Sequence, residues 1–137
     1  MSLPIYQVDA FTSERFKGNP AAVCLLREQR DVAWMQNVAA EMNLSETAFV
    51  RKSQVADFAV RYFTPAEEIP LAGHPTIATV WALVERGAIR LQGERTRITL
   101  ELKAGVIPVD IFAKDGRGSP ARSIGRSVGH PVGRSCL

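Results

Sequence analysis

A carboxylate between a predicted helix and a predicted strand is the first side chain that could do chemistry. Glu46 lies in residues 43–47 (NLSET), where an amphipathic pattern ends and an apolar run begins. A glutamate held at the edge of a cavity can act as a general acid or base. The alternative is a solvated loop glutamate, which is the commoner situation for this residue type taken alone.

A histidine beside a predicted helix start is the second candidate. In residues 72–76 (AGHPT), Pro75 suits the first helical position, where a missing N–H costs nothing. His74 is then the predicted N-cap of a helix over 76–86. The first N–H groups of that helix would lack intrahelical acceptors, so a carboxylate could dock there. The alternative is that the segment only forms a turn before a core helix.

The remaining polar residues give weaker signals. The two histidines, His74 and His130, lie far apart in the sequence, so no metal site is predicted. The glycines of residues 116–118 (GRG) lack the strand and helix that flank a dinucleotide-binding loop. Glu67 and Glu68 are interpreted as solvated loop charges.

Hydrophobic periodicity indicates how these candidates are positioned. A first, amphipathic helix is predicted between the N-cap Asp31 and Asn43, and the helix over 76–86 is apolar nearly all round, which is typical of a buried helix. Strands are predicted over 5–11, 21–26, 47–51 and 57–63, with a hairpin between 98–102 and 107–111. The predicted fold class is therefore α+β, with about six short strands around one buried central helix.

Charge and hydropathy exclude two classes of partner. The chain has 17 basic and 14 acidic residues, a net charge of +3. The excess lies in residues 115–137, which leaves the body neutral, so no nucleic-acid surface is predicted. No apolar run approaches the roughly 20 residues of a membrane span, so no membrane partner is expected. A soluble cytoplasmic protein is predicted.

The sequence changes character near its C-terminal end. Residues 115–137 are rich in glycine, serine and arginine without helix or strand periodicity, so this tail is predicted to be disordered and residues 1–114 to form one domain. Cys24 lies in an apolar run and is interpreted as a buried, reduced thiol. Cys136 lies in the tail, so no disulfide framework is expected.

Four stretches in the same order and spacing resemble the PhzF family of phenazine biosynthesis-like isomerases, which share the fold of diaminopimelate epimerase. They are VDAFT at 8–12, FKGNPAAV at 16–23, NLSETAFV at 43–50, and YFTP at 62–65 leading to AGHPT at 72–76. The resemblance covers the N-terminal half of the family, from about residue 5 to residue 114. The tail does not resemble the family.

The resemblance implies a fold of two similar lobes, each a barrel-like shell of strands around a central helix, with the active site between them. It implies that Glu46 is the catalytic proton-transfer residue and that Gly73, His74 and Thr76 bind a small carboxylate-bearing substrate. No cofactor is implied. The sister epimerases use two cysteines, but the glycine is preceded here by Ala72, so cysteine chemistry is not expected.

Two functions follow from the resemblance. The first is a cofactor-independent PhzF-like isomerase or epimerase, truncated because the second lobe is missing from this chain. The second is a catalytically inactive lobe that acts as a ligand-binding or self-association module. Loss of the partner lobe would expose apolar surface, so a homo-oligomer is predicted for such a module.

Overall fold

The computed structural model describes residues 4–10, 19–112 and 128–135, with side chains described for 5–8 and 20–112. Two helices and eight strands are present in these residues. The strands are β1 (Pro4–Ala10), β2 (Asn19–Leu25), β3 (Glu46–Lys52), β4 (Phe58–Phe63), β5 (Glu68–Ile69), β6 (Arg95–Leu102), β7 (Gly105–Phe112) and β8 (Val128–Ser135). The helices are α1 (Val32–Met42) and α2 (Gly73–Glu85). The predicted α+β class is confirmed.

All the strands belong to one mixed sheet. Its order is β7-β6-β4-β3-β2-β1-β8, and the short β5 pairs with β4 outside this path. The pairs β2–β3 and β4–β6 are parallel, and the other pairs are antiparallel. The α1 helix connects the parallel strands β2 and β3, while α2 lies between β5 and β6 in the chain.

The strand residues alternate between two apolar clusters, one on each face of the sheet. The larger cluster contains α2 residues such as Val80 and Leu83, together with buried side chains from six strands. The smaller cluster joins Met35 and Ala39 of α1 to Phe49 and Phe63. The side chains of six strands therefore form a shell around α2, as the sequence predicts for the buried helix.

The ends of α1 are as predicted. Asp31 is the N-cap, and its Oδ1 accepts a hydrogen bond of 2.7 Å from the N–H of Trp34. Asn43 ends the helix in the left-handed region, with φ of 53°, a conformation that asparagine tolerates better than most residues. Glu46, three residues later, is the first residue of β3. The cap of α1 therefore fixes where this carboxylate enters the sheet.

The start of α2 differs from the prediction. The helix begins at Gly73 with Ala72 as N-cap, so His74 is the second helical residue and Pro75 the third. The N–H of Thr76, predicted to lack an intrahelical acceptor, reaches the carbonyl of Ala72 at 3.4 Å. Proline is compatible with this register because the third residue of a helix also has no acceptor for its N–H.

Two predictions about single side chains also need correction. Glu68 is not a solvated loop charge, because it lies in β5 and accepts two hydrogen bonds from Arg61, at 2.6 and 2.7 Å. Those bonds lower the pKa of Glu68. Cys24 is disulfide-bonded, so the prediction of a reduced thiol is wrong; Cys136, the other cysteine, lies outside the described residues.

Residues 115–137 are predicted to be disordered, but Val128–Ser135 forms β8, antiparallel to β1. Strand pairing satisfies backbone N–H and C=O groups whatever the side chains are, so a free strand edge can hold a segment without apolar alternation. Residues 113–127 and 136–137 lie outside the described part of the chain. Within that part, neither helix is long and apolar enough to cross a bilayer.

Thr47, next to Glu46, is a buried residue whose hydroxyl has no hydrogen-bond partner among the described residues. A buried hydroxyl left without a partner costs about 1–3 kcal/mol. We therefore expect Thr47→Val to raise the free energy of unfolding by about 1 kcal/mol in urea denaturation. Thr47→Ser is the matched control, because it keeps the hydroxyl and removes a methyl group, and it should destabilise. A destabilised Thr47→Val would mean that the hydroxyl is hydrogen-bonded.

Candidate active site

Glu46 and His74 come together across the sheet and α2. Glu46 begins β3 and alternates with the buried Thr47, so its side chain lies on the same face as Ala48, which packs in the α2 cluster. His74 is in the first turn of α2. Its Nε2 lies 2.8 Å from Oε2 of Glu46. Two residues separated by 28 positions in the sequence thus form one contact.

The two contacting atoms keep hydrogen-bonding capacity. Both are buried, and although their separation is that of a hydrogen bond, neither has a partner with hydrogen-bond alignment. The distance and the missing alignment are compatible, because a ring nitrogen can approach an oxygen without directing its lone pair or N–H at it. The side chains are 17% and 18% exposed. Other atoms of both side chains are therefore within reach of a small molecule, while Oε2 of Glu46 and Nε2 of His74 are shielded from water.

The start of α2 supplies further donors beside this contact. Ala72 makes no side-chain capping bond, and the N–H groups of Gly73 and His74 precede the first intrahelical bond. These N–H groups and the helix dipole create partial positive charge at this end of a 13-residue helix. A Cβ added at Gly73 would meet nothing within 4 Å. The backbone at Gly73 is therefore open to the close approach of a ligand.

Thr76, the fourth predicted site residue, uses most of its side-chain hydrogen-bonding capacity within the fold. Its Oγ1 donates to the carbonyl of Ala72 at 2.7 Å and lies 2.6 Å from the hydroxyl of Tyr62. Because the single proton of Thr76 goes to Ala72, Tyr62 is the donor to Thr76. One lone pair of Oγ1 remains, so substrate binding by Thr76 stays a prediction.

Tyr62 is a positioning residue that the sequence reasoning missed. It is fully buried on β4, and burial raises its pKa to about 12. Its hydroxyl therefore stays protonated at neutral pH and links β4 to the first turn of α2. The signal was available: the alternation in residues 58–63 places Tyr62 inside, and a buried tyrosine hydroxyl generally needs a partner.

Comparison with known proteins places this chain in a family. The chain is 50% identical over 107 residues to an uncharacterized isomerase of Halalkalibacterium halodurans, covering 78% of this chain and 39% of that protein. A phenazine biosynthesis protein of the PhzF family from Bacillus anthracis has a crystal structure with a TM-score of 0.75 and 37% identity, covering 84% of this chain and 38% of that one. The chain thus spans about two fifths of the length of these relatives.

A more distant structure shows the same fold. A hydroxyproline epimerase from Agrobacterium vitis matches with a TM-score of 0.66 at 17% identity, covering 86% of this chain and 41% of that one. The predicted diaminopimelate epimerase-like lobe is confirmed. The model of the PhzC-PhzF family, described as phenazine biosynthesis-like protein, matches residues 8–128 and so extends beyond the predicted domain boundary at 114. The chain therefore belongs to the phenazine biosynthesis-like PhzC-PhzF family.

Proposed function

We propose that this chain is the proton-transferring part of a cofactor-independent isomerase or epimerase that acts on a small carboxylate-bearing substrate. The observation that carries the proposal is the 2.8 Å contact between Glu46 and His74 at the start of α2. A carboxylate and an imidazole, both with hydrogen-bonding capacity in reserve, lie beside N–H groups suited to an anion. This arrangement combines a proton acceptor with a docking point for the substrate.

Each residue has a distinct role in the proposed reaction. The substrate carboxylate docks on the N–H groups of Gly73 and His74. Glu46 takes a proton from a neighbouring carbon, and the electron pair of that C–H bond is delocalised into the conjugated acid. Glu46 then returns the proton at another carbon, so no oxidant or reductant is consumed. The imidazole of His74 hydrogen-bonds the substrate, and Thr76 and Tyr62 hold the helix start in place.

A second candidate is a catalytically inactive module that keeps the ligand site or self-associates into a homo-oligomer. The observation that favours it is the small share of the relatives' length that this chain covers. It spans 39% of the relative from Halalkalibacterium halodurans and 38% of the structure from Bacillus anthracis. In those longer proteins other residues are available to enclose a substrate. Water exclusion strengthens the electrostatic interactions of an active site, so a site enclosed on one side only would be a poorer catalyst.

Nuclear magnetic resonance in D2O separates the two candidates. The chain is incubated with a panel of small conjugated carboxylic acids, beginning with crotonate, and the substrate carbons are followed for deuterium incorporation and for new isomers. Backbone amide shifts of Gly73 and His74 report binding in the same samples. Incorporation above the protein-free rate supports proton transfer. Binding without incorporation supports the inactive module, and the absence of both would refute the proposed site.

A further inference from the structure

A groove with an excess of basic side chains lies on the opposite face of the sheet from Glu46. It has a volume of about 220 Å3, and the charged residues among its lining are Arg51, Arg61, Glu101 and Lys103. The face is the one that carries α1, because Arg51 lies two positions after Phe49 of the smaller apolar cluster, and residues two apart on a strand share a face. Arg51 lies five positions after Glu46 on β3, which corresponds to about 17 Å along a strand.

Two of the four charged side chains in this groove, Arg61 and Lys103, are ion-paired, whereas within the described residues Arg51 and Glu101 have no oppositely charged partner. Arg61 and Lys103 both contact Glu68, at 2.6 and 3.4 Å, and Glu101 accepts a hydrogen bond from Ser53 at 2.7 Å. Within the described residues, Arg51 donates only to the adjacent carbonyl of Lys52, at 3.1 Å. Its guanidinium therefore retains donors and a full charge beside the groove.

Arg30 adds a buried donor without a partner. Its guanidinium carbon lies 5.1 Å from the centre of the Trp34 ring, a cation–π contact that fixes the side chain. Its Nε is buried and has no hydrogen-bond partner among the described residues. A small cavity of about 10 Å3, roughly the space of one water molecule, has Arg30, Arg51 and Arg61 among its eight lining residues. That cavity shares Arg51 and Arg61 with the groove.

We propose that this groove is a second ligand site, which binds a small oxyanion group, phosphate or carboxylate. The guanidinium of Arg51 donates to the oxyanion, Arg30 adds positive charge beside the adjoining small cavity, and the Arg61–Glu68–Lys103 cluster forms a wall held by its own ion pairs. Guanidinium groups match carboxylate and phosphate oxygens in geometry and charge. Around this position four basic residues, counting Arg30, face two acidic ones, so an anion adds charge balance.

Side-chain Nε–H resonances of arginine test the site directly. Inorganic phosphate, and separately acetate, is titrated into the 15N-labelled chain at constant ionic strength. We expect saturable shifts of the Arg51 Nε–H signal. If only one of the two probes gives saturable shifts, that oxyanion is the ligand class. Arg51→Gln should weaken the affinity about 10-fold, which is the effect of losing one hydrogen bond to a charged group of about 1.4 kcal/mol.

Arg86→Gln is the matched control, because Arg86 is an exposed arginine at the far end of α2. It removes the same net charge and should leave the phosphate affinity unchanged. An equal loss of affinity in both variants would show general charge attraction and overturn the proposed site. Shifts that stay linear with concentration for both probes would also overturn the proposed site. Circular dichroism of Arg51→Gln verifies that the fold is retained, and failure of the Glu46 site would not alter these outcomes.

Discussion

Glu46→Gln is expected to lower the rate of deuterium incorporation into an accepted substrate by about 100- to 10,000-fold, the usual contribution of a positioned acid or base. Glutamine keeps the shape of the side chain and one acceptor oxygen, but it cannot take up and return a proton. Substrate binding should persist, because the N–H groups of Gly73 and His74 are unchanged. The measurement is the initial rate of incorporation in D2O, with amide shifts recorded in the same samples.

Three variants isolate this effect. Glu85→Gln removes an exposed carboxylate at the other end of α2 and should leave the rate unchanged. His74→Ala removes a hydrogen-bonding group but no helix N–H, so affinity and rate should fall together and less steeply. Cys24→Ser should affect stability through the lost disulfide while sparing proton transfer. Full activity in Glu46→Gln, or lost chemistry in a folded Cys24→Ser, would return a cysteine mechanism to consideration.

Local signals in the sequence were sufficient where the determining groups are neighbours in the chain. The caps of α1 at Asp31 and Asn43 were predicted because each acts within one helical turn. The start of α2 was misplaced because proline is compatible with the first three helical positions, and the pattern alone does not choose among them. β8 depends on the edge of β1, which no local pattern in Val128–Ser135 reveals.

In the candidate site, too, the residue types could be predicted from local sequence, whereas the contacts between distant residues could not. The residue types at Glu46 and His74 could be selected from motifs and a predicted helix start, but their 2.8 Å contact depends on the packing of α2 against the sheet. The ion pair of Glu68 was missed because a two-residue strand carries almost no periodic signal, and its partner Arg61 is on the paired strand. Charge pairs across strands therefore needed the structure.

Gly73→Ala is expected to weaken the binding of crotonate by about 10-fold or more without lowering stability. Apart from its chain neighbours and the backbone of its own helix, the added Cβ meets no atom within 4 Å, and Gly73 is not among the residues with positive φ, so the fold accepts alanine. A ligand whose carboxylate sits on the N–H of Gly73 would instead contact the new methyl group. Forced overpacking of this kind typically costs about 1–3 kcal/mol, and 1.4 kcal/mol is tenfold in affinity.

Gly87→Ala provides the opposite control. Gly87 follows the C-cap of α2 with φ of 81°, a conformation that strains alanine, so this variant should lose about 1 kcal/mol of stability and keep its affinity for crotonate. Affinity is read from amide titrations and stability from urea denaturation, for both variants. Undiminished crotonate binding in Gly73→Ala would place the ligand away from the start of α2. Because one glycine is needed for ligand approach and the other for backbone conformation, the two substitutions separate the binding surface of this helix from its folding requirement.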